Sequence, residues 1–203
     1  SSLTLVMQPS DVTNQQGLEF FGCVVTAFSI TAEGSADGGQ YKWSATLQTG
    51  KKPDLASTAE PTITAYANTT IPLLSSSSGH KVFNVNVILS SFTTSIESPA
   101  VFTGVASDGY QVVSRGAEIS VTADAQVKYD GNTKGFINSF DTQSSALSGN
   151  MLVITNNNAF GVAMPNGVLT NVALAEGDLM MLDCSIKSVD DGSDALIEFD
   201  VTD

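Results

Sequence analysis

Between Glu118 and Tyr129 the chain reads E-I-S-V-T-A-D-A-Q-V-K-Y, and the segment sorts its side chains onto two faces. Glu118, Ser120, Thr122, Asp124, Gln126 and Lys128 fall on one side. Ile119, Val121, Ala123, Ala125, Val127 and Tyr129 fall on the other. Successive side chains of a strand point to opposite faces, so this pattern predicts a sheet with one face on a core and the other in water. The twelve residues exceed the usual strand of about 5–6. A long, half-wet strand suits a structural wall.

Composition narrows the class. The 203 residues fit one domain and suffice for a core, and only 14% are charged, against about 25% in an average protein. Charged residues are depleted at the centres of subunit interfaces, so a surface this poor in charge is compatible with a chain that buries itself against copies. It equally suits a Ser/Thr-rich secreted β-protein. The net charge is −13, from 21 acidic and 8 basic residues, which disfavours ordinary nucleic-acid binding. Nine carboxylates and one cation, Lys187, lie between Glu176 and Asp203. They read as a solvated face or as a surface that repels a polyanion. Cys23 and Cys184 are far apart and neither belongs to a CxxC, so two buried thiols are expected, with a single disulfide as the alternative. No apolar run approaches the roughly 18 residues of a membrane span.

Period-two patterning recurs along the chain. Phe20–Ala32 and Tyr41–Leu47, separated by the G-S-A-D-G-G of Gly34–Gly39, predict a hairpin. Thr49–Pro61, with two prolines, predicts a loop, and Thr62–Tyr66 a short strand. Phe83, Val85, Val87 and Leu89 alternate with Asn84 and Asn86 as a further strand, Thr93–Pro99 as a turn, and Val101–Val105 as strand. Asn132–Leu147 carries Phe136, Phe140 and Leu147 at helical spacing, with Asn132 or Thr133 as cap. Strands are expected at Leu179–Val189 and Leu196–Thr202, joined as a hairpin through Asp191-Gly192. The expected fold is mostly β, an antiparallel β-sandwich or partial barrel with one flanking α-helix. Residues 1–19 read as an N-terminal arm or edge strand and 20–203 as a single domain.

Reactive constellations are missing from the sequence. His80, the single histidine, sits in S-G-H-K beside a serine-rich stretch and is expected to be solvated. There is no GxSxG, Walker loop, HExxH or GxGxxG. Asp190, Asp191 and Asp194 would suit an oxygen-seeking calcium ion, but the EF-hand spacing is absent and a plain turn is expected. The reading is therefore no enzyme, no catalytic, cofactor-binding or metal-binding residues, and no cofactor.

The order of elements resembles the major tail tube protein of long-tailed, non-contractile (siphovirus-type) bacteriophages. The resemblance runs from about Phe20 onward. It rests on F-F-G-C-V-V-T-A-F-S-I-T-A, Y-K-W-S-A-T-L, V-F-N-V-N-V-I-L, S-R-G-A-E-I-S-V-T-A-D-A-Q-V-K-Y and M-L-D-C-S-I-K-S-V-D-D-G-S-D-A-L-I-E-F-D. It implies a virion subunit, made in the host cytoplasm, that forms stacked hexameric rings. Inner strands would line a conduit for DNA ejection, DNA would pass without specific binding, and no membrane would be involved. Tail terminator, tape-measure and distal tail proteins are the partners it implies. On that reading the polar strand faces give Glu118, Asp124, Asp183, Glu198 and Asp200 as lumen-facing candidates. Lys51, Lys52, Pro53, Asp54 and Leu55 are candidates for an inter-ring loop, since loops this long are usually functional. The residues alone leave open another structural β-protein, such as a jelly-roll capsid or decoration protein or a secreted adhesin-like sandwich, and also an enzyme or small-ligand binder.

Overall fold

Alternating apolar and polar residues pair into strands almost throughout, as shown by a computed structural model that describes residues 3–7, 17–34, 39–55, 73–74, 79–103, 112–115, 118–141, 152–156, 160–175 and 180–201. The strands are β1 (Leu3–Met7), β2 (Leu18–Glu33), β3 (Tyr41–Gln48), β4 (Asp54–Leu55), β5 (Lys81–Val82), β6 (Val85–Asn86), β7 (Leu89–Glu97) and β8 (Ala100–Thr103). After β9 (Val112–Arg115) and β10 (Ser120–Lys128) comes the helix α1 (Lys134–Asp141). β11 (Leu152–Asn156), β12 (Phe160–Ala163), β13 (Gly167–Ala175), β14 (Met181–Ser188) and β15 (Glu198–Val201) complete the chain. The fold is mostly antiparallel β with one short helix, as the patterning predicted. The strand expected at 62–66 and the helical stretch beyond 141 lie outside the described residues.

The chain groups into two compact units, one of residues 1–28, 45–69 and 97–119, the other of 29–44, 70–96 and 120–203. In the first, β1 and β4 pair antiparallel with the start of β2, so that Leu18 faces both Met7 and Leu55. The N-terminal segment thus includes an edge strand. β8 and β9 form a separate two-stranded ribbon.

In the second unit the large sheet runs from residues 29–33 of β2 through β7, β10 and β14 to β13. A smaller sheet has the order β15-β12-β11-β5-β6. The inner face of the large sheet presents Phe92, Val121, Ala123, Ala125, Val127, Leu182, Cys184 and Ile186, all at most 3% exposed. The small sheet contributes Val82 and Val162 at 0%, and Met164, directly after β12, is also at 0%. Aromatic rings join the layers. Tyr41 of β3 meets Phe92 edge-on at 5.7 Å and Phe160 of β12 at 5.4 Å, and Phe136 of α1 meets Phe83 at 5.5 Å. Burial of these faces is the main stabilising term.

Several sequence expectations change. The segment 83–89 is not one strand, because Phe83 and Asn84 both take positive φ (52° and 61°) and reverse the chain between β5 and β6. Paired positive φ marks a two-residue type I′ hairpin turn. The Phe136 ring packs edge-on against the Phe83 ring at this turn. The turn expected at 93–99 is strand up to Glu97, its threonines being ordinary β residues, with Thr94 1% exposed. His80 is buried at 1%, not solvated. Both thiols are free and buried, as expected.

The helix begins after a turn in which the Asp130 carboxylate accepts from the N–H groups of Asn132 (2.8 Å) and Thr133 (3.2 Å). The buried Thr133 hydroxyl instead reaches back, donating to Lys128 O at 2.8 Å and accepting from Asp130 N at 2.9 Å. Asp130, rather than Asn132 or Thr133, satisfies the N–H groups ahead of the helix.

Candidate functional site

The polar face of the large sheet in the second unit is where the sequence candidates converge. β10 and β14 pair antiparallel with Thr122 opposite Lys187, Asp124 opposite Ser185, Gln126 opposite Asp183 and Lys128 opposite Met181. The intervening pairs, Ala123–Ile186, Ala125–Cys184 and Val127–Leu182, point into the core. Register is fixed because a one-residue slip would turn this apolar set outward. The sorted strand of the sequence therefore exists from Ser120 to Lys128. Ile119, placed on the apolar face by parity, is 49% exposed because it precedes the strand.

Asp124 and Asp183 are both exposed and share this face as diagonal cross-strand neighbours. The Gln126 amide donates to Asp183 Oδ1 at 3.0 Å. Together with Ser91, Thr93 and Ser185 these residues line an open depression of about 150 Å³. Hydroxyls extend the face across the neighbouring strands. The Ser29 and Ser44 hydroxyls bond each other at 2.9 Å, and Thr93 donates to Thr31 Oγ1 at 3.3 Å. At the far edge Thr170, the extra residue of a bulge in β13, donates to Ser185 O at 3.0 Å. The face carries mainly hydroxyls, amides and a few charges, and Met181, Val168, Ala173 and Ala175 share it toward the β13 edge.

Beneath it, burial and, secondarily, the charge of Asp183 push the Cys184 thiol up to about 12. It is neutral and unreactive at ordinary pH.

The other candidates separate from this face. Glu118 is exposed but lies ahead of β10 and belongs to the first unit. Glu198 and Asp200 sit in β15, opposite Ala163 and Gly161 of the small sheet. The expected hairpin through Asp191-Gly192 does not form, because β14 and β15 belong to different sheets. The intervening turn spends its carboxylates on itself. Asp190 accepts from Gly192 N at 2.8 Å, and Asp191 accepts from Ser193 N (2.9 Å) and Asp194 N (3.0 Å). Those backbone bonds hold the Asp191 carboxyl below its usual range. Asn166 donates to Asp194 at 3.2 Å. Among the described residues no group of three or more His, Cys, Asp or Glu is placed to hold a metal ion.

The loop candidates lie in the first unit. Lys51 Nζ sits 2.7 Å from Asp54 and 5.3 Å from the centre of the Phe21 ring, and the Thr49 hydroxyl donates to Phe21 O at 2.6 Å. Asp54 and Leu55 form β4, and Lys52 is exposed while Pro53 is half-buried. The start of the expected loop is thus fastened to β2; residues 56–61 lie outside the described residues.

The sequence pattern put Lys128 on the polar face of its strand and named Lys187 as the single cation of the acidic C-terminal stretch, but neither was among the candidate residues. Their parity with Asp124 and Asp183 was legible within each strand, but only the register sets the four charges beside one another. No helix among the described residues is long and apolar enough to cross a membrane.

The chain matches no protein-family model and no curated protein. Among solved structures, a chain described as "Virion of native gene transfer agent (GTA) particle" is similar at 10% identity with a TM-score of 0.36, over 66% of this chain and 89% of that one. At that level the similarity establishes neither fold nor function.

Proposed function

We propose that this chain is a structural virion subunit of the tail-tube type, whose copies close into rings that stack into a conduit for DNA. The observation that carries the reading is the large sheet of the second unit, apolar and buried on one face and mainly hydroxyl, amide and charged on the other, where Met181 and, on β13, Val168, Ala173 and Ala175 interrupt the polar groups. A conduit wall needs that division, since the inner layer holds the subunit together while the outer layer stays hydrated. The edge strand β13 supplies a row of backbone donors and acceptors that ring closure would satisfy. The exposed apolar residues Leu3, Leu5 and Met7 of β1 add surface that association would cover.

On β10 and β14 the two aspartates are matched by two lysines, so the paired face is neutral overall. Tail terminator, tape-measure and distal tail proteins belong to the same proposal as end partners.

Electron microscopy with sedimentation of the purified protein is the test. Rings or rods with a central channel are expected. A strict monomer at high concentration across a range of salt, or closed shells, would overturn the reading.

A further inference from the structure

The register of β10 and β14 orders the charges of the candidate face along the strands. Lys187 lies at the level of Thr122, Asp124 one level further on beside Ser185, Asp183 at the level of Gln126, and Lys128 at the last level beside Met181. All four side chains are exposed. The sequence of levels is cation, carboxylate, carboxylate, cation, and the six residue steps from the first level to the last span about 20 Å at roughly 3.4 Å per residue. Neither lysine closes an ion pair among the described residues, the carboxylates lying nearest along the strands being one or two levels away. Asp183 is instead occupied by the Gln126 amide.

We propose that this face is a balanced track for a nucleic-acid phosphate backbone, in which Lys128 and Lys187 are the contact points and Asp124 and Asp183 keep the contact weak. The inference rests on the conduit reading for its occupant, but its charge logic stands on the register alone. A phosphate near either end level meets one ammonium donor. Moving inward it meets one carboxylate after about 7 Å of travel along the strand and the second after about 14 Å. Attraction and repulsion therefore alternate over distances comparable with the screening length of about 8–10 Å, so neither dominates along the track. A uniformly acidic wall would exclude the polymer, and a uniformly basic one would hold it.

Retention of purified protein on duplex-DNA resin, across a salt gradient, tests this without requiring tubes. Wild type should pass unretained. Asp124→Asn/Asp183→Asn should be retained at low salt and released as salt rises, with a log–log slope of about 2 for two uncovered lysines at roughly 0.9 per phosphate contact. Adding Lys128→Gln/Lys187→Gln should abolish that retention. Adding Lys81→Gln/Lys134→Gln instead, which removes equal charge away from the face, should leave it. If the double asparagine variant passes unretained, or the two lysine pairs prove interchangeable, the assignment is overturned. Circular dichroism on each variant separates misfolding from lost contact. If the protein forms no rings yet shows this retention pattern, the conduit reading fails and the charge balance survives. Rings without the pattern would leave the conduit standing and overturn the track.

Discussion

Replacing Tyr41 tests what joins the two sheets of the second unit. Its ring touches Phe92 of one layer and Phe160 of the other, both edge-on. Its hydroxyl is buried with no hydrogen-bond partner among the described residues. The two parts of the side chain should therefore act in opposite directions. An orphaned buried hydroxyl costs about 1–3 kcal/mol of desolvation, so Tyr41→Phe, which keeps the ring, should stabilise by about 1 kcal/mol. Tyr41→Ala removes two aromatic pairs, worth about 0.5–1.5 kcal/mol each, plus the apolar contact of a half-buried ring, and should destabilise by about 3 kcal/mol. Urea unfolding reads both as shifts of the midpoint at unchanged slope. The same substitution carries a pH signature. Burial raises the Tyr41 phenol above its ordinary range. Its neutral form therefore supports the fold fully below the unfolded value of about 10, and that support is lost as pH rises further. Tyr41→Phe should flatten the alkaline fall in stability above about pH 10. A destabilised Phe variant, or an alkaline limb that does not change, would refute the assignment of an unpartnered, desolvated hydroxyl.

Thr94 Oγ1 is likewise buried without a partner among the described residues, so Thr94→Val should raise stability by about 1 kcal/mol in the same assay, whereas a loss would reveal a hidden acceptor. Cys184 should resist a thiol reagent in the folded protein at pH 8 and react fully in denaturant; because its folded value is raised to about 12, it should also withdraw about 1.4 kcal/mol of stability per pH unit from about pH 9 upward, a slope that Cys184→Ala removes. Gly39 has φ +77°, and a Cβ there would meet the Leu74 backbone oxygen at 3.1 Å and nitrogen at 3.2 Å, so Gly39→Ala should cost more than about 1 kcal/mol, measured by thermal or urea unfolding. Reversing Asp124 and Asp183 to Lys should leave subunits folded and, in assembled particles, slow DNA release at low salt; unchanged release would count against a lumenal position for this face.

What the sequence determined is local. Strict alternation from Ser120 to Lys128 decided which side chains are buried, because burying one face of a strand tolerates no slip. The glycine-bearing gap before Tyr41 marked the β2–β3 connection, and Gly39 at positive φ closes onto Glu33 through a 3.1 Å backbone bond. Phe136 marked the helix by its spacing and is buried at 2%. The tertiary structure decided which strands meet. Asp191-Gly192 is turn chemistry wherever it occurs, but whether the next strand returns to the same sheet depends on edges built elsewhere, and here β15 joins β12. Phe83 and Asn84 read as strand because alternation does not report the sign of φ. At their turn Phe83 packs against a ring fifty-three positions away in the chain. His80 looked solvated from its neighbours and is buried by the sheet order. The candidate face shows the same division. Each strand's polar parity was legible, yet only pairing in one register set Lys128 and Lys187 on either side of Asp124 and Asp183. On β10 and β14 that register sets two lysines beside two aspartates, because net charge is a property of composition while the field at a surface depends on which side chains the fold makes neighbours.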